Sequence, residues 1–407
     1  MKLIVQKYGG SSVADVDKIK KIAKMIAVVK EQDYNVVVVV SAMGETTNQL
    51  IEMAKNISSN PPRREMDMLL STGERTSMAL LCIALNELGV DAISLTGSQA
   101  GIITNDRHND ARVIEVRPVR VQDEIEKGKV VVIGGFQGVS YKRDITTLGR
   151  GGSDTSAVAL AAALNAERCE IYSDVDGVYT TDPNIIKDAK HLPEMSYQQL
   201  QEMSEAGAKV LNAQAVQFAK EAKIALYARS TFSPGKETVI KDIPSPTEAF
   251  DKKENSGVSG VVYEKDIVRV FIHKSGRIEW VLNYLEENQV PIKEYHYTGL
   301  SKDGVYKCSF LLATKSVYDW EKVKETLENK LLDDIYINES LGALSIIGEG
   351  FNRNNLILLN TLNLLKEKNI ENYGVSTTSF RISVLVERDL LEEAVRVCHK
   401  YWIEGKA

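Results

Sequence analysis

The sequence predicts an α/β protein with a mainly parallel open sheet and helices on both faces, followed by two smaller α+β units. In the first 230 residues, continuous apolar runs alternate with stretches of helical periodicity, as expected of parallel strands covered on both faces. After residue 258, a βαββα pattern occurs twice, which is the arrangement of ferredoxin-like βαββαβ domains. The apolar runs of the first part are Lys2–Val5, Val36–Val40, Ala92–Leu95, Val130–Ile133 and Glu170–Tyr172.

The stretch between the first two runs shows the helical pattern most clearly. Its apolar residues recur every three or four positions, which places them on one helix face. Asp15 and Asp17 fall in the predicted first turn, where they interact favourably with the helix dipole. We therefore expect strand–helix–strand units, which give a parallel sheet. The apolar positions are Val13, Val16, Ile19, Ile22, Ala23 and Ile26.

The bulk composition excludes several classes of protein. At 407 residues, the chain is long enough for two or three domains. A net charge of −6 argues against a nucleic-acid-binding surface. The four cysteines lie far apart, so we expect buried thiols of a reducing compartment, with neither disulfides nor a metal site. The first apolar run is too short for a secretory signal, and no run has membrane-spanning length. We therefore expect a cytoplasmic protein with no membrane or nucleic-acid partner.

Each predicted strand ends in a loop rich in glycine and small polar residues. The five loops read "QKYGGSS", "SAMGETTN", "TGSQAG", "GGFQG" and "SDVDGVYTTDP". Ligands of open α/β sheets bind beyond the carboxyl ends of the strands. One such loop would be an ordinary turn, but five together predict a ligand crevice.

The segment "TTLGRGGSDTSAVALAAAL", Thr146 to Leu164, adds a candidate anion site to this crevice. Its glycines let a ligand approach the main chain, and the helix that follows presents N–H groups suited to an anion. We expect Ser153 or Asp154 to cap that helix. We expect a second helix start of this kind after Gly10. An ordinary capped turn remains the alternative for this segment alone.

Two cations, Lys7 and Arg150, accompany these loops and favour a phosphate ligand. The sequence contains neither GxxxxGK[ST] nor GxGxxG. Phosphoryl transfer requires charge neutralisation and positioning more than covalent chemistry. Lys7 suits the moving phosphoryl group as a point charge, and Arg150 suits a carboxylate as a planar fork. The residues alone therefore predict a nucleotide-dependent kinase that acts on a small anionic substrate.

Four ordered blocks resemble the aspartate kinase family. They are "VQKYGGSSV", "STGERTSMALL", "ITTLGRGGSDTSAVALAAAL" and "CEIYSDVDGVYTTDP". The resemblance covers Met1 to Ile243 and extends more weakly to the C-terminus. It implies phosphorylation of the β-carboxylate of L-aspartate by Mg·ATP, which gives 4-phospho-L-aspartate. This reaction is the first step towards lysine, threonine, methionine and diaminopimelate.

The resemblance also implies roles for individual residues. Lys7 would stabilise the transferring phosphoryl group, with Asp154 orienting the site around it. Glu74 would bind the substrate ammonium group, and Arg150 would bind a substrate carboxylate. Further substrate contacts are implied for Ser41, Thr47, Gly151, Gly152 and Ser153. Nucleotide contacts are implied for Lys7, Tyr8, Gly9, Gly10, Ser11, Ser173, Asp174, Tyr179, Asp182 and Lys209, and no protein metal ligand is implied.

Several of these residues have an ordinary structural alternative. Glu74 could cap its own helix. Asp174 and Asp182 could be turn formers beside glycine and proline. Ser41 and Thr47 could be hydrogen bonders at a strand end.

Two segments depart from the family pattern. The arginine that commonly follows "DP" is Asn184 here, and the block resembling "GAKVLHPRAVE" reads "GAKVLNAQAVQ". Asn212, Ala213 and Gln214 therefore replace the usual residues. With two basic positions lost, we expect an active enzyme with a raised KM for ATP.

The domain boundaries follow from composition and pattern. We expect a catalytic domain at 1–243, a linker at 244–258, one unit at 259–338 and a second unit at 339–407. The second unit lacks a closing strand, which residues 259–264 could supply. The predicted elements are Ile267–Ile272, Ile278–Asn288, Ile292–Tyr297, Val305–Leu312 and Val317–Lys330, then Leu344–Ile347, Leu356–Lys368, Ile370–Val375, Phe380–Val386 and Leu390–Tyr401.

The two C-terminal units resemble the paired ACT domains of aspartate kinases. The resemblance implies a homodimer and amino-acid effectors, with lysine and threonine as candidates. The first unit departs from the family at "HKSGR" and around Tyr297, whereas the second keeps "GVSTTSFRISVLV". The alternatives are a purely structural dimerisation module, a related kinase for glutamate, acetylglutamate or a nucleotide, and a catalytically inactive amino-acid sensor.

Overall fold

The computed structural model describes residues 2–149, 151–208, 211–233, 235–243, 257–273, 275–298, 307–352 and 355–405. The chain divides into two compact units. The first unit comprises Met1–Tyr179, Lys190–Ser204 and Lys209–Glu248, and the second comprises Thr180–Ala189, Glu205–Ala208 and Ala249–Ala407. Arg150, Lys209 and most of the expected linker lie outside the described residues. The second unit thus includes two short segments from within the expected catalytic region.

The first unit alternates strands and helices along the chain. Its strands are β1 (Leu3–Tyr8), β2 (Asn35–Val40), β3 (Ala92–Leu95), β4 (Ile102–Thr104), β5 (Val113–Val116), β6 (Val130–Gly134), β7 (Gln137–Ser140), β8 (Ile145–Thr147), β9 (Arg168–Ser173), β10 (Val178–Tyr179), β11 (His191–Leu192), β12 (Glu194–Ser196), β13 (Ala225–Ser230) and β14 (Glu237–Lys241). Its helices are α1 (Val16–Glu31), α2 (Thr46–Ile57), α3 (Arg63–Glu87), α4 (Val119–Glu126), α5 (Gly152–Ala163), α6 (Tyr197–Glu205) and α7 (Ala213–Ala222).

The main sheet has the strand order β12-β14-β13-β9-β1-β2-β6-β3. All its neighbouring strands are parallel except β13 and β14. Helices α1 and α3 share a core with one set of alternating strand residues, among them Val36 and Val38. Val37 and Val39 are also fully buried, and α5 packs against β1, β2 and β9. Because successive strand residues point to opposite faces, both faces of the sheet are covered. The predicted α/β class is confirmed.

Four strands of the first unit form a separate small sheet with the order β5-β4-β7-β8. Its last strand, β8, leads into the glycine-rich segment before α5 and packs against α3. The conformation of that segment therefore depends on this small sheet.

Helix α3 is long and apolar enough to cross a membrane by length and composition alone. Half of its most apolar stretch is buried inside the protein, and Leu81 and Leu85 belong to the core beneath the main sheet. Core helices of soluble proteins share these properties, so the feature is weak evidence for a membrane span.

The second unit is built on one antiparallel sheet with the order β16-β17-β15-β18-β20-β19. Its strands are β15 (Val258–Ile272), β16 (Glu294–Thr298), β17 (Lys307–Ala313), β18 (Ile335–Gly348), β19 (Gly374–Thr377) and β20 (Arg381–Glu387). Its helices are α8 (Ile278–Glu287), α9 (Trp320–Leu331), α10 (Leu356–Glu367) and α11 (Leu391–His399).

One long strand, β15, serves both halves of this sheet. Residues 260–264 pair with 343–347 of β18, and residues 267–272 pair with β17 and with the start of β18. The register shifts between Glu264 and Ile267, where β-bulges bend a strand. Helices α8 and α9 cover one core, and α10 and α11 cover another. The repeated βαββα pattern therefore forms one continuous sheet.

Candidate active site

Lys7 and Asp154 form an almost buried ion pair at the carboxyl end of β1, an inner strand of the main sheet. Lys7 lies near the end of β1, and Asp154 lies in the first turn of α5. Lys7 Nζ is 2.6 Å from Asp154 Oδ1, and both side chains are only 11% exposed. The N-terminal end of the helix dipole also stabilises the carboxylate. The pair fixes an ammonium group where low solvent exposure strengthens its attraction for an anion.

The glycine loop after β1 passes beside this ammonium group. Gly9 N–H donates to the Tyr172 carbonyl at 3.1 Å. A Cβ at Gly9 would lie 3.6 Å from Lys7 Nζ, and a Cβ at Gly10 would lie 2.9 Å from the carbonyl oxygen of Ala42. Glycine at these positions therefore leaves the approach to Lys7 open and lets two loops pack closely. The arrangement fits a bound phosphate.

The chain makes a single helical turn after this loop. The N–H groups of Ser12 and Val13 both donate to the Gly9 carbonyl. Helix α1 begins only at Val16, so the helix start expected after Gly10 is separated from the glycines by this turn. Ser11 is exposed at the turn.

The side chain of Tyr8 faces the core. It is fully buried and stacks on Tyr172 with ring centroids 4.8 Å apart. Its carbonyl accepts the N–H of Ser41 at 3.1 Å. Tyr8 thus joins the ends of β1 and β2 and reaches the crevice only through its backbone.

Helix α5 begins at Gly152, and no side chain of the described residues caps it. Gly151 has φ of 68°, a left-handed conformation that glycine adopts readily. Ser153 and Asp154 lie inside the first turn, so the expectation that one of them caps the helix is wrong. The physical reason is that Gly151 turns the chain into the helix earlier, while Lys7 engages Asp154. The helix start keeps its positive dipole end for an anion.

Asn212 lies against this helix start. A Cβ at Gly151 would be 2.7 Å from Asn212 Cβ. Asn212 also caps α7, since its side chain accepts the N–H of Gln214 at 2.8 Å. The block that departs from the family pattern therefore borders the predicted substrate loop. Lys209 of that block and Arg150 of that loop lie outside the described residues.

Glu74 is a buried acid near these loops, and its pKa is raised. It is 3% exposed on α3, and burial raises its pKa to about 7 despite a hydrogen bond from Ala42 N–H to Oε1 at 3.2 Å. Among the described residues, Oε2 has no hydrogen-bond partner. Gly73 allows this packing, because a Cβ there would lie 2.7 Å from Ala42 Cβ. A buried acid with an unpartnered oxygen is typical of a ligand site.

Ser41 and Thr47 flank the same loop. The Ser41 carbonyl accepts the Ser77 hydroxyl at 2.7 Å, which ties the end of β2 to α3. Thr47 is half-buried in the first turn of α2. These contacts place Ser41 close to the helix that carries Glu74.

The loop after β6 holds a backbone feature that the sequence did not reveal. Phe136 has φ of 66°, an uncommon conformation for a residue with a side chain. Its N–H donates to Ser156 Oγ at 3.1 Å, and that hydroxyl donates to the Gly152 carbonyl at 2.9 Å. The loop is thereby joined to the start of α5. Only the "GG" before Phe136 indicated a tight turn.

The predicted nucleotide loop follows β9. Ser173 Oγ accepts the N–H of Val175 at 3.2 Å, and Asp174 is exposed. The Tyr179 hydroxyl donates to Asp176 at 2.7 Å, and burial together with this contact raises the pKa of Tyr179 to about 12. Asp182 belongs to the second unit, where it accepts the Tyr263 hydroxyl at 3.1 Å.

Sequence reasoning missed a second buried acid on α3. Asp67 is fully buried and contacts His108, Asn109 and Thr147. Burial raises its pKa, and the hydrogen bonds from these three residues counter part of that effect. An acid seven residues before Glu74, on the same helix face, was the available signal.

The described residues contain no group of three or more His, Cys, Asp or Glu side chains that could hold a metal ion. The four cysteines are buried and free.

The site therefore combines a buried ammonium group, glycine loops, a helix start and a buried acid at the carboxyl ends of parallel strands. A model of the amino acid kinase family matches residues 2–230. This match covers more than half of the 407-residue chain, so the chain belongs to the amino acid kinase family.

Full-length relatives define the class further. The chain is 39% identical to the aspartokinase of Corynebacterium glutamicum over 419 aligned residues, which cover 100% of the chain and 97% of the relative. It is 40% identical to the aspartokinase of Mycolicibacterium smegmatis, with 98% and 96% covered. The chain belongs to the aspartokinases, which are phosphotransferases.

A solved structure supports the fold. The chain resembles E. coli aspartokinase III, crystallised in complex with aspartate and ADP, with a TM-score of 0.82. The two sequences are 22% identical, and the match covers 98% of this chain and 99% of the other.

Proposed function

We propose that this chain transfers the γ-phosphoryl group of Mg·ATP to the β-carboxylate of L-aspartate. The observation that carries the proposal is the Lys7–Asp154 ion pair beside the Gly9–Gly10 loop. It supplies a fixed positive charge at a place that a phosphate can approach. Phosphoryl transfer is catalysed chiefly by such positioning and charge stabilisation.

The reaction needs no proton transfer from the enzyme. An ionised β-carboxylate oxygen attacks the γ-phosphorus, the bond to the β,γ-bridging oxygen breaks, and ADP leaves with the electron pair. We therefore assign Asp154 to holding Lys7 in place and not to general-base catalysis. Lys7 neutralises the charge on the moving phosphoryl group, and the start of α5 supports it with its dipole.

Glu74 is proposed to receive the substrate ammonium. Its Oε2 has no hydrogen-bond partner in the part of the chain that the structure describes, and it is an acceptor that a cation would satisfy. Ser41, Thr47 and the 151–153 loop would line the rest of the aspartate pocket, with Arg150 on a carboxylate.

The nucleotide is proposed to lie over the ends of β1 and β9. The glycines leave room for phosphates. Further contacts to the nucleotide are proposed for Ser173, Asp174, Tyr179, Asp182 and Lys209. Mg²⁺ supplies charge neutralisation to the phosphates when bound. It is commonly held by substrate phosphates and water with few protein ligands, so a dedicated group of carboxylates is not required.

Trapping the product as its hydroxamate tests the proposal. We expect ATP-dependent hydroxamate formation with L-aspartate and at least tenfold less with L-glutamate or acetylglutamate, a difference of about 1.4 kcal/mol in transition-state binding. The same assay gives the KM for ATP, which we expect to be raised because Asn184 and Gln214 replace two basic residues. ATP turnover with no dependence on aspartate would contradict the proposal, as would complete inactivity.

We also propose control by an amino-acid effector through the second unit. A cavity of about 360 Å³ lies on its sheet. Its lining includes Arg269 and Arg381 as well as Glu294, so it presents both charge signs that a zwitterion requires. We further propose that this unit forms the homodimer and that the enzyme works in the cytoplasm at the head of lysine and threonine synthesis.

Chain continuity links this unit to the nucleotide residues. Thr180 follows Tyr179 directly, and its carbonyl accepts the N–H of Val261 at 2.7 Å. The Glu205 carbonyl accepts from Lys293 at 2.7 Å, four residues before Lys209. An effector that reorganises the sheet would therefore act on nucleotide binding first.

Titrating lysine and threonine, singly and together, tests this control. We expect at least one of them to raise the KM for ATP about 5- to 150-fold, the usual range of allosteric coupling, with a smaller change in the KM for aspartate. Activity that is insensitive to both amino acids would support a purely structural second unit instead.

A further inference from the structure

The second buried acid of α3 joins three segments around the predicted substrate loop. Asp67 Oδ2 lies 2.6 Å from His108 Nδ1. Asp67 Oδ1 accepts the N–H of Asn109 at 3.0 Å and the hydroxyl of Thr147 at 2.5 Å. We call these four residues the Asp67 cluster. Burying an acid is costly unless it is hydrogen-bonded, so these contacts hold the acid and its neighbours in one arrangement.

Thr147 is the member of the cluster that leads to the active site. It is the last residue of β8, and five residues later α5 begins. The Thr147 carbonyl also accepts the N–H of Ala111 at 2.9 Å. The loop that carries His108 therefore runs along the end of β8, and both are fixed to α3.

The loop that carries His108 also contacts the glycine-rich segment that follows Thr147. Gly149 has φ of 69°, and a Cβ there would lie 2.9 Å from Asp110 Oδ1. Leu148 N–H donates to the carbonyl of Phe136 at 2.9 Å. The segment that approaches α5 is thus held from two sides. Its position relative to α3 depends on the Thr147–Asp67 contact.

Glu74 lies on the same helix, two turns after Asp67. Residues seven apart occupy the same face of a helix, and both acids are buried. A rigid helix therefore connects the residue proposed for the substrate ammonium with the acid that holds the substrate-carboxylate loop.

We propose that Asp67 is a positioning residue that sets the distance between Glu74 and the described loop residues 148–149 and 151–153, and so the spacing between the ammonium and carboxylate subsites for the amino-acid substrate. This inference rests on the proposed function. Asp67 acts through the hydrogen bond to Thr147 and does not contact the substrate. Its loss should weaken the binding of aspartate and spare the nucleotide, which is proposed to lie over β1 and β9.

Two substitutions interrupt this link in different ways. Asp67→Asn removes the charge at nearly constant shape, and Thr147→Val removes only the hydroxyl. We expect the KM for aspartate to rise about tenfold in the first and about fivefold in the second, because small displacements of a positioned group are costly. The KM for ATP should stay within about twofold. Thr147→Ser keeps the hydroxyl and should restore the wild-type KM for aspartate.

Thr104→Val is the matched control. Thr104 is as buried as Thr147 and lies in the same small sheet, where its hydroxyl bonds to Thr146 at 2.6 Å and to the Asn105 carbonyl at 2.8 Å. The Thr104→Val substitution removes comparable hydrogen bonds and leaves the contacts of Asp67 in place. Thermal unfolding should show similar losses of stability in both valine variants, with a changed KM for aspartate only in Thr147→Val.

The inference is overturned if Thr147→Val and Thr104→Val give the same KM for aspartate, or if the KM for ATP rises in parallel in the Asp67 cluster variants. In either case the wild-type enzyme still phosphorylates aspartate, so the proposed function stands. A wild-type enzyme that does not phosphorylate aspartate would overturn the proposed function and this inference together.

Discussion

Replacing Lys7 with methionine is expected to lower kcat about 10³-fold, the order of effect seen when a preorganised charge or donor on the transition state is removed. Methionine keeps most of the side-chain volume and removes the ammonium group. Steady-state kinetics with saturating aspartate and ATP measure the effect. The KM for aspartate should change little, because the proposed role of Lys7 is exerted on the phosphoryl group.

The variant also leaves Asp154 as a buried charge without its partner. Breaking an almost buried ion pair by removing one member is destabilising, so the loss of activity must be separated from unfolding. The double variant Lys7→Met with Asp154→Asn removes both charges. We expect it to recover much of the stability and none of the activity.

Lys2 provides the control for this prediction. It lies just before β1 and pairs with Glu167 at 3.0 Å, with a side chain that is 70% exposed. Exposed pairs of this kind contribute little, so Lys2→Met should leave kcat within about twofold. A Lys7→Met enzyme that folds and keeps more than about a tenth of wild-type kcat would refute the assignment of Lys7.

Glu74→Gln is expected to stabilise the protein and impair substrate binding at the same time. The KM for aspartate should rise about 100-fold, since the neutral amide loses the charge that would pair with the substrate ammonium. Stability should increase at pH 8, because the buried carboxylate of the wild type is ionised there without a partner for Oε2 among the described residues. Opposite changes of this kind are typical of active-site residues.

The sign of the pH dependence follows from the raised pKa. Glu74 has a pKa of about 7 in the folded chain, against an ordinary value of 4.5 for a glutamate carboxyl group. Between these values the folded state holds a proton that the unfolded state has released, so Glu74 makes stability fall as pH rises from about 4.5 to about 7. The shift corresponds to roughly 3 kcal/mol. The stability gain of Glu74→Gln should therefore be present at pH 8 and absent near pH 4.5.

Binding should show the reverse trend. The wild-type kcat/KM for aspartate should fall as pH drops below about 7, where Glu74 becomes protonated. The Glu74→Gln enzyme should lack this limb of the profile. Denaturation at two pH values and a pH profile of kcat/KM measure the two trends.

Glu124→Gln is the control for Glu74→Gln. Glu124 is also buried, but it pairs with Lys127 at 3.0 Å and with Lys129 at 2.9 Å, and hydrogen bonds from Lys129 and Lys127 lower its pKa. Its replacement should destabilise the protein slightly and leave the KM for aspartate unchanged. If both glutamine variants changed the KM for aspartate equally, Glu74 would have no special place in the substrate site.

Local sequence patterns predicted the elements of the fold well. The run at 36–40 became β2, and Ala92–Leu95 became β3 without a change of boundary. Asp17 lies in the first turn of α1 as predicted, whereas Asp15 is the N-cap residue just before that turn. Each of these features depends on residues that are close in the chain. The start of α5 was predicted incorrectly because its geometry depends on Gly151, Asn212 and Lys7, which come from three separate segments.

The sequence predicted which loops form the candidate site, but it did not predict how their side chains are arranged in space. Lys7 and Asp154 were both named from their motifs, yet nothing in either motif fixes the 2.6 Å between them. Asp67 was missed because its role depends on partners 41 and 80 residues away. The shared strand β15 likewise required the pairing of residues that are distant in sequence.

The amino-acid sequence by itself determined the order of strands and helices. It also determined the chemical character of the loops between them, because apolar periodicity and turn residues act over a few neighbouring positions. Only the tertiary structure determined which polar groups are buried next to one another and so lose their hydration. Close packing of the sheet against α3 and α5 buried Lys7 beside Asp154, and it buried Glu74 with no hydrogen-bond partner for Oε2 among the described residues. Desolvation depends on everything that surrounds a group, and for that reason it could not be obtained from any single stretch of the sequence.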